Sequence, residues 1–515
     1  MTSLIFDRET GRIINEQNTK YSPSDRSTLV ESVRQICLAF KKVEIACTPE
    51  REQAALGSFI EVERAFSTFS LSDEQRDEFC RVSRELWDNL MATISLLDCS
   101  PKHGPGATAD KRMGNHKFIW LNWHERLESY FPIVGNGYPL GIEPENEELQ
   151  NVTFISQDQE IPVKVTPVPK TLKGPRIIAI EPCCNQFIQQ GIRDVLYDRL
   201  ESFPLTKSHV NFRDQKRNQR LAIRASRSGR LATIDLSDAS DRVPRSLALY
   251  MFRANPDLQD SIDACRSTHA EMPDGTIVGP LEKFASMGSA LCFPVEAMYF
   301  YTCCVLALLK RHNLPVSRSN ILHVRRLLYV YGDDIIVPST DAVFVLDYLQ
   351  RYNCKVNATK SFWTGKFRES CGVDAYDGKV VSPTYIGTLP PKNKRQPERL
   401  ISWTATANLF YKRGYWRTAQ LLFNYVEAVL GPLPYLSETT PGLGRYSFLG
   451  YQTIDRWQEY RGPFRPLSDT ELQKGSVSLI GKASYQRFEV KAWEHIQFNG
   501  MASLEVNHDW CPGLK

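Results

Sequence analysis

The chain has 515 residues, 42% of them hydrophobic and 24% charged, with a formal net charge of +4. That length exceeds one ordinary hydrophobic core, so several subdomains are expected, and the balanced composition, without low complexity or internal repeats, excludes a disordered or fibrous chain. A charge of +4 is too small to name a polyanionic partner, and thirteen scattered cysteines with no C-x-x-C pair fit reduced thiols in a cytosolic setting better than a disulfide frame or zinc site.

Met1 to Arg8 carries charges where a secretory signal would need an apolar stretch, so no export is expected. From about Ser24 to Leu97, apolar positions such as Val33, Ile36, Cys37 and Phe40 recur at three and four residues, which predicts helices. A Gly/Pro-rich break at His103-Gly104-Pro105-Gly106-Ala107 opens an aromatic, loop-rich stretch to about Glu160, in which His103 is read as fixing a loop rather than holding a metal. Ile161 to Glu181 then alternates as strands around a basic turn, with Lys164, Lys170, Lys173 and Arg176 supplying the charge.

Arg213 to Arg230 holds seven basic residues against one acid, Asp214. Arg213, Arg217, Arg220, Arg224 and Arg227 step by four, three, four and three, which on a helix makes one basic stripe. Solvated helix faces usually alternate sign and this one does not, so a surface for a polyphosphate chain is the preferred reading. Leu231 to Leu236 reads as a buried strand ending at Asp235, followed by Ser240 or Asp241 as N-cap of a helix through Pro244 to Arg253.

Pro273-Asp274-Gly275-Thr276 signals a further hairpin, and a small-residue loop, Ser286-Met287-Gly288-Ser289, precedes a long apolar helix beginning near Phe293-Pro294. Its 13 uncharged residues from Ala297 to Leu309 fall short of the ~20 needed to span a bilayer, so a buried helix is expected and no membrane. Leu327 to Val337 places Gly332-Asp333-Asp334 at the tip of a tight hairpin between apolar strands. The tripeptide alone is weak, because an ordinary solvated turn has the same composition. The residues after Pro390-Pro391 read as a separate lobe of helix and loop rich in Trp and Tyr.

Adjacent strands of one sheet would bring Asp235 to Asp333 and Asp334. Three clustered carboxylates repel unless cations neutralise them, and an oxygen-only donor set with few protein ligands suits Mg²⁺. Two such ions can activate a hydroxyl and stabilise a leaving oxygen, which makes phosphoryl or nucleotidyl transfer the expected reaction class. The basic turn at Lys170, Lys173 and Arg176 would neutralise a triphosphate.

Thr233-Ile234-Asp235-Leu236-Ser237-Asp238-Ala239-Ser240-Asp241, Ser286-Met287-Gly288-Ser289 and Tyr331-Gly332-Asp333-Asp334 resemble, in order and spacing, motifs A, B and C of viral RNA-dependent RNA polymerases. With His103-Gly104-Pro105-Gly106, Ile180-Glu181-Pro182, Asn218-Gln219-Arg220-Leu221 and Phe367-Arg368-Glu369-Ser370-Cys371-Gly372, the chain resembles the replicase catalytic subunit of the leviviruses, the single-stranded RNA bacteriophages, over roughly residues 100 to 390.

The resemblance implies an α+β, right-hand polymerase fold: an N-terminal helical region and part of the fingers over 1–160, fingers over 161–228, a palm over 229–390 interrupted by a fingers insertion at about 254–284, and a thumb with the C-terminal region over 391–515. It implies Asp235 and Asp333 as main ligands of two Mg²⁺, with Mn²⁺ as an alternative, Asp334 close by and the Leu236 carbonyl as a further candidate. It places Asp241, Ser286 and Gly288 near the ribose, adds Glu296 to the nucleotide site, assigns the basic turn to the triphosphate, and makes Lys360 the group that protonates the leaving pyrophosphate. Cys292, where many viral polymerases have Thr, is a departure and is read as core packing, and Cys371 as structural.

The implied activity is copying of single-stranded RNA from ribonucleoside triphosphates in the cytoplasm of a bacterial host. Elongation factors Tu and Ts and a ribosomal protein are implied as partners, although no segment identifies those contacts. A reverse transcriptase and a non-catalytic, polymerase-like RNA-binding protein are the alternatives. Against the first, Ser240-Asp241 stands where such enzymes usually put a bulky residue; against the second, all three carboxylates and the basic turn are present.

Overall fold

The computed structural model describes residues 22–143, 145–171, 174–436 and 442–447. They form two compact units: one takes in Thr48–Val168, Gly174–Ser382 and the chain before Arg34, the other Arg34–Cys47, the segment from Pro169 and the chain from Pro383.

The described residues begin with helices, as the apolar spacing from about Ser24 predicts: α1 (Pro23–Leu38), α2 (Pro49–Ala65) and α3 (Asp73–Met91). Pro49 opens α2 with Glu50 and Glu52 in the first turn, and Ser72 and Gln75 close a reciprocal capping box at the start of α3. The buried side of α3, carrying Phe79, Val82, Leu86, Trp87 and Leu90, faces the main core. His103 sits among the rings of Phe118, Trp120 and Phe187, and burial lowers its pKa to about 4. Lys117 Nζ donates to the Gly104 carbonyl at 2.6 Å, so the Gly/Pro-rich loop is fixed from within.

Strands β1 (Val163–Thr171) and β2 (Gly174–Ile180) are neighbours in a four-stranded sheet and lead into α4 (Cys183–Ser202). Helix α5 (Lys216–Ser228) is shorter than the basic run predicts. Asp214 accepts the Lys216 N–H at 2.9 Å and starts the helix there, which leaves Arg213 outside it, and Gly229 ends it at φ 69.

The next strands are β3 (Leu231–Ile234) and β4 (Leu236–Ser237). The expected N-cap at Ser240 or Asp241 is not formed. Those residues lie in a 3-10 turn, and the helix, α6 (Arg245–Tyr250), starts after Pro244. Strands β5 (Ala270–Glu271) and β6 (Ile277–Val278) form the predicted hairpin around Gly275. Helix α7 (Cys292–Arg311) is long and apolar enough to cross a bilayer, yet it is packed inside the protein. There Trp87 Nε1 donates to Thr302 Oγ1 at 2.9 Å, and Phe79 lies 5.6 Å from Tyr299.

Strands β7 (Tyr329–Tyr331) and β8 (Asp334–Pro338) form the second predicted hairpin, and β8 is the centre of a three-stranded antiparallel sheet ordered β3-β8-β7. Helix α8 (Ala342–Arg351) leads to β9 (Lys355–Val356), which pairs with β4. The meander β10 (Phe367–Ser370), β11 (Val373–Tyr376) and β12 (Lys379–Val380) completes this unit, whose main core is accompanied by a smaller cluster under β1, β2 and β5 and another at β11.

In the second unit, helices α9 (Pro397–Lys412) and α10 (Trp416–Leu430) bury Leu400, Trp403, Phe410, Leu422, Phe423 and Val426 against each other. Among the described residues every cysteine is a free thiol.

Candidate active site

The sheet register decides the central geometry. Ile335 pairs with Ile234, so the next antiparallel pair places Asp334 opposite Asp235, at the ends of adjacent strands. Asp334 also pairs with Tyr331, which leaves Gly332 and Asp333 as the two central residues of the turn. Gly332 takes φ 58, the conformation required at the first central position of a II′ hairpin turn. A Cβ there would penetrate the Phe293 ring at the start of α7.

Asp235 is held from the segment that follows β9. Asn357 donates Nδ2–H to Oδ2 at 2.7 Å and its backbone N–H to the Asp235 carbonyl at 2.9 Å. Lys360 Nζ lies 3.5 Å from Oδ1, and the Asp235 N–H donates to Ser361 Oγ at 3.1 Å. Burial would lower the Lys360 pKa, but Asp235 and Glu369 outweigh it and the pKa is raised.

Asp334 is held by Ser370 Oγ, which donates to Oδ1 at 3.3 Å, and by the Cys371 N–H, which donates to Oδ2 at 3.1 Å. Burial, followed by the charges of Asp333 and Asp235, raises its pKa to about 7, against the donated hydrogen bonds of Cys371.

Among the described residues no three His, Cys, Asp or Glu side chains stand close enough to enclose a metal ion by themselves. The carboxylates of Asp235, Asp333 and Asp334 nevertheless supply only oxygen, and after burial the charges of Asp333 and Asp235 add to the rise at Asp334. That chemistry fits a hard divalent cation that keeps part of its coordination for water and substrate phosphates.

Asp241 does not cap a helix because its carboxylate is taken by the segment before α7. Lys283 Nζ donates to Oδ1 at 2.9 Å and Ser286 Oγ donates to the same oxygen at 2.7 Å, while Ser240 Oγ reaches Oδ2 at 3.2 Å. Gly288 takes φ 137 where a Cβ would overlap the Ala179 carbonyl, so the loop lies flat on β2.

Glu296, one turn into α7, is buried, and its pKa is raised by burial and then by Asp333 and Asp241. It therefore lies within the electrostatic reach of both carboxylate groups. Cys292 packs against it, with Sγ 3.7 Å from Glu296 Oε2.

The basic residues are placed unevenly. Arg176 is exposed on β2 and Lys170 is exposed near the end of β1; Lys173 lies outside the described residues. On α5, Arg220, Arg224 and Arg227 are exposed opposite the buried Asn218, Ala222, Ala225 and Ser226. Arg217 is half-buried, 5.1 Å over the Tyr329 ring. Arg213 belongs to another group, pairing with Asp198 at 2.7 Å and Glu201 at 2.9 Å.

Sequence reasoning did not find the hydrogen-bonding roles of Asn357, Ser361, Ser370 or Lys283. Ser370 lies inside the Phe367 to Gly372 motif and Asn357 three residues before Lys360, whereas nothing around Lys283 distinguishes it from an ordinary surface lysine.

Residues 152–391, which contain all of these candidate site residues, match a family model described as RNA replicase, beta-chain. The chain is 38% identical over 223 residues to an RNA-directed RNA polymerase subunit beta of Enterobacteria phage SP, covering 43% of this chain and 36% of that one. It is likewise 38% identical over 223 residues to the subunit of Escherichia virus Qbeta (43% and 35%), and 37% identical over 219 residues to the polymerase beta chain of Escherichia phage MS2 (42% and 36%). The matched stretch thus spans just over a third of these relatives' length.

Among solved structures, the RNA-dependent RNA polymerase of a human picorbirnavirus matches with a TM-score of 0.37 and 12% identity, over 58% of this chain and 60% of that one. That of BmCPV at the elongation state matches with a TM-score of 0.34 and 13% identity, over 48% and 24%.

Proposed function

We propose, from the match of residues 152–391 to the RNA replicase beta-chain model, that the chain is a member of that family and an RNA-directed RNA polymerase replicating a single-stranded RNA phage genome in a bacterial host. The observation that carries this reading is the pairing of Ile335 with Ile234 between β8 and β3, a register that brings Asp235, just after β3, beside Asp334 at the start of β8, with Asp333 in the turn between β7 and β8. On this reading the β3-β8-β7 sheet and α7 belong to the palm of a right-hand polymerase, residues up to 228 contribute its fingers, and residues from 391 its thumb.

Asp235, Asp333 and Asp334 would hold two divalent cations, Mg²⁺ or Mn²⁺. When bound, these supply a Lewis acid for the attacking 3′-hydroxyl and the leaving oxygen. The chain's own residues position and balance charge. Asn357 and Ser361 orient Asp235, and Ser370 and Cys371 orient Asp334. Lys360, kept protonated beside Asp235, is placed to give its proton to the departing pyrophosphate. Asp241, with one oxygen occupied by Lys283 and Ser286, turns the other toward a ribose 2′-hydroxyl, the group that separates RNA from DNA precursors. Gly288 lets the loop carrying Ser286 lie against β2, and Glu296, within electrostatic reach of Asp241 and Asp333, belongs to the same nucleotide site.

Arg176, with Lys170 and Lys173 on sequence grounds, would meet the triphosphate, and Arg217, Arg220, Arg224 and Arg227 the RNA backbone. Elongation factors Tu and Ts and a ribosomal protein are proposed as partners through the family alone.

The test is labelled-nucleotide incorporation on a single-stranded RNA template with Mg²⁺. The wild-type chain is expected to incorporate ribonucleotides, and Asp333→Asn to lose ~100- to 1,000-fold, the scale on which electrostatic stabilisation of a transition state acts. Unchanged incorporation by Asp333→Asn would remove the catalytic assignment, and preference for deoxyribonucleotides would turn the reading toward a reverse transcriptase.

A further inference from the structure

Behind Asp241 lies a buried cation. The Lys283 side chain is fully buried, and its ammonium sits 2.9 Å from Asp241 Oδ1, 3.4 Å from the centre of the Phe59 ring and 3.8 Å from Glu63 Oε2. Phe59 and Glu63 are four residues apart on α2 and so share one face of that helix.

The backbone on either side is equally constrained. Arg245 N–H donates to the Glu282 carbonyl at 2.9 Å, Phe284 N–H to the Val243 carbonyl at 2.8 Å, and Glu282 N–H to Glu63 Oε1 at 2.5 Å. The strip 282–284 therefore runs beside 243–245, directly after Asp241, and is fastened to α2 from the other side.

A buried ion pair is weak evidence for stability, because removing two charges from water costs about as much as their attraction returns. What this arrangement does supply is direction. Lys283 and Ser286 both use Oδ1, so Oδ2 is left with one longer contact, to the Ser240 hydroxyl. A carboxylate with one oxygen held by two donors cannot rotate freely, and its second oxygen keeps lone pairs for an incoming hydroxyl.

We infer that Lys283 is a positioning residue for sugar selection: it fixes the Asp241 carboxylate so that Oδ2 accepts the ribose 2′-hydroxyl, and α2 sets its position through Phe59 and Glu63. The inference rests on the proposed polymerase activity and on Asp241 as the ribose contact. It adds a device outside the marked motifs, in which the N-terminal helical region tunes discrimination between ribo- and deoxyribonucleotides. Lys283 touches neither substrate nor metal and acts only through Asp241.

The experiment uses the full chain on an RNA template and measures kcat/KM for a ribonucleotide and for the deoxyribonucleotide of the same base. Lys283→Met is expected to lower the ribo-to-deoxy ratio at least tenfold, chiefly by raising KM for the ribonucleotide while deoxyribonucleotide use changes less than threefold. In an Asp241→Asn background the same substitution is expected to leave the ratio where Asp241→Asn alone puts it, since the two act as one unit.

Glu63→Gln, which keeps the shape and removes only the second-layer charge, is expected to lower the ratio about threefold, and it decides the matter if Lys283→Met does not fold. Equal losses for both nucleotides, an unaltered ratio, or independent effects of Lys283 and Asp241 would overturn the inference while the polymerase reading stands. A wild-type chain without incorporation would remove that reading and the inference with it.

Discussion

The backbone N–H of Cys371 donates to Oδ2 of Asp334 from a residue in the left-handed region, at φ 47. Asp334 belongs to the β3-β8-β7 sheet and Cys371 to the turn between β10 and β11, so one hairpin fastens a carboxylate of another sheet. With the Ser370 hydroxyl on Oδ1, both oxygens of Asp334 have donors on the hairpin side. The turn thus offsets part of the repulsion that Asp334 feels from Asp333 and Asp235.

That relationship predicts the behaviour of Cys371 variants. A β-branched side chain is strained at positive φ by about 1–2 kcal/mol, whereas Asn tolerates it. Cys371→Val should lower the free energy of unfolding in urea by that amount and lower incorporation about tenfold, and Cys371→Asn should stay near wild type in both. If Cys371→Val copies RNA at the wild-type rate, the hairpin does not position Asp334.

Gly332 supplies a second prediction. It combines φ 58 with a Cβ position that overlaps Phe293 Cε2, so a side chain is strained in the backbone and collides with the ring. Gly332→Ala should cost at least ~2 kcal/mol and reduce incorporation at least ~100-fold, because the displaced turn carries Asp333. Adding Phe293→Leu, which removes the ring, should recover several-fold of that loss. No recovery in the double variant would mean that the backbone conformation alone, and not the ring, excludes the side chain.

The parts of the site legible in the sequence are those built from neighbours in sequence or from strand periodicity. The Gly332-Asp333-Asp334 turn is flanked by apolar runs, and Asp235 ends one, so their meeting across β3 and β8 needs only adjacency of the two strands. The long-range polar contacts were not legible. Lys283 and Asp241 are far apart in the chain, and Glu282-Lys283-Phe284 has the composition of any half-exposed strip. The same hidden partner explains the missing N-cap: Lys283 and Ser286 take Asp241, so the helix starts later, after Pro244. The basic stripe was over-extended by one member because the periodicity carried no sign that Asp214 would start the helix, or that Asp198 and Glu201 would draw Arg213 away.

For the remaining stripe the expectation concerns salt. Arg220 and Arg224 are exposed on α5, and each phosphate contact to single-stranded nucleic acid contributes about 0.7 to the slope of log affinity against log salt concentration. Arg220→Ala with Arg224→Ala should flatten that slope by about 1.4 and weaken RNA binding at low salt. Arg213→Ala, which breaks pairs within the protein, should leave the slope alone. A slope unchanged by the double variant would assign α5 to solvent.

Glu181 gives a pH dependence of stability that is separate from the chemistry. Its carboxyl is buried between β2 and α4 and accepts from Ser267 Oγ at 2.7 Å. Burial raises its pKa from the ordinary 4.5 to about 7, against the hydrogen bonds of Ser267 and Gln189 and the charge of Arg266. In the unfolded chain it ionises at the ordinary value. The folded state therefore binds the extra proton between the two values, and the contribution to stability is complete below 4.5 and falls as pH rises through about 7. Glu181→Gln carries no proton to lose. Urea unfolding at several pH values should show the variant gaining on the wild type between pH 5 and 7 and holding a constant lead above that range. A difference independent of pH would mean that Glu181 is ionised in the folded protein, with Arg266 rather than burial governing it.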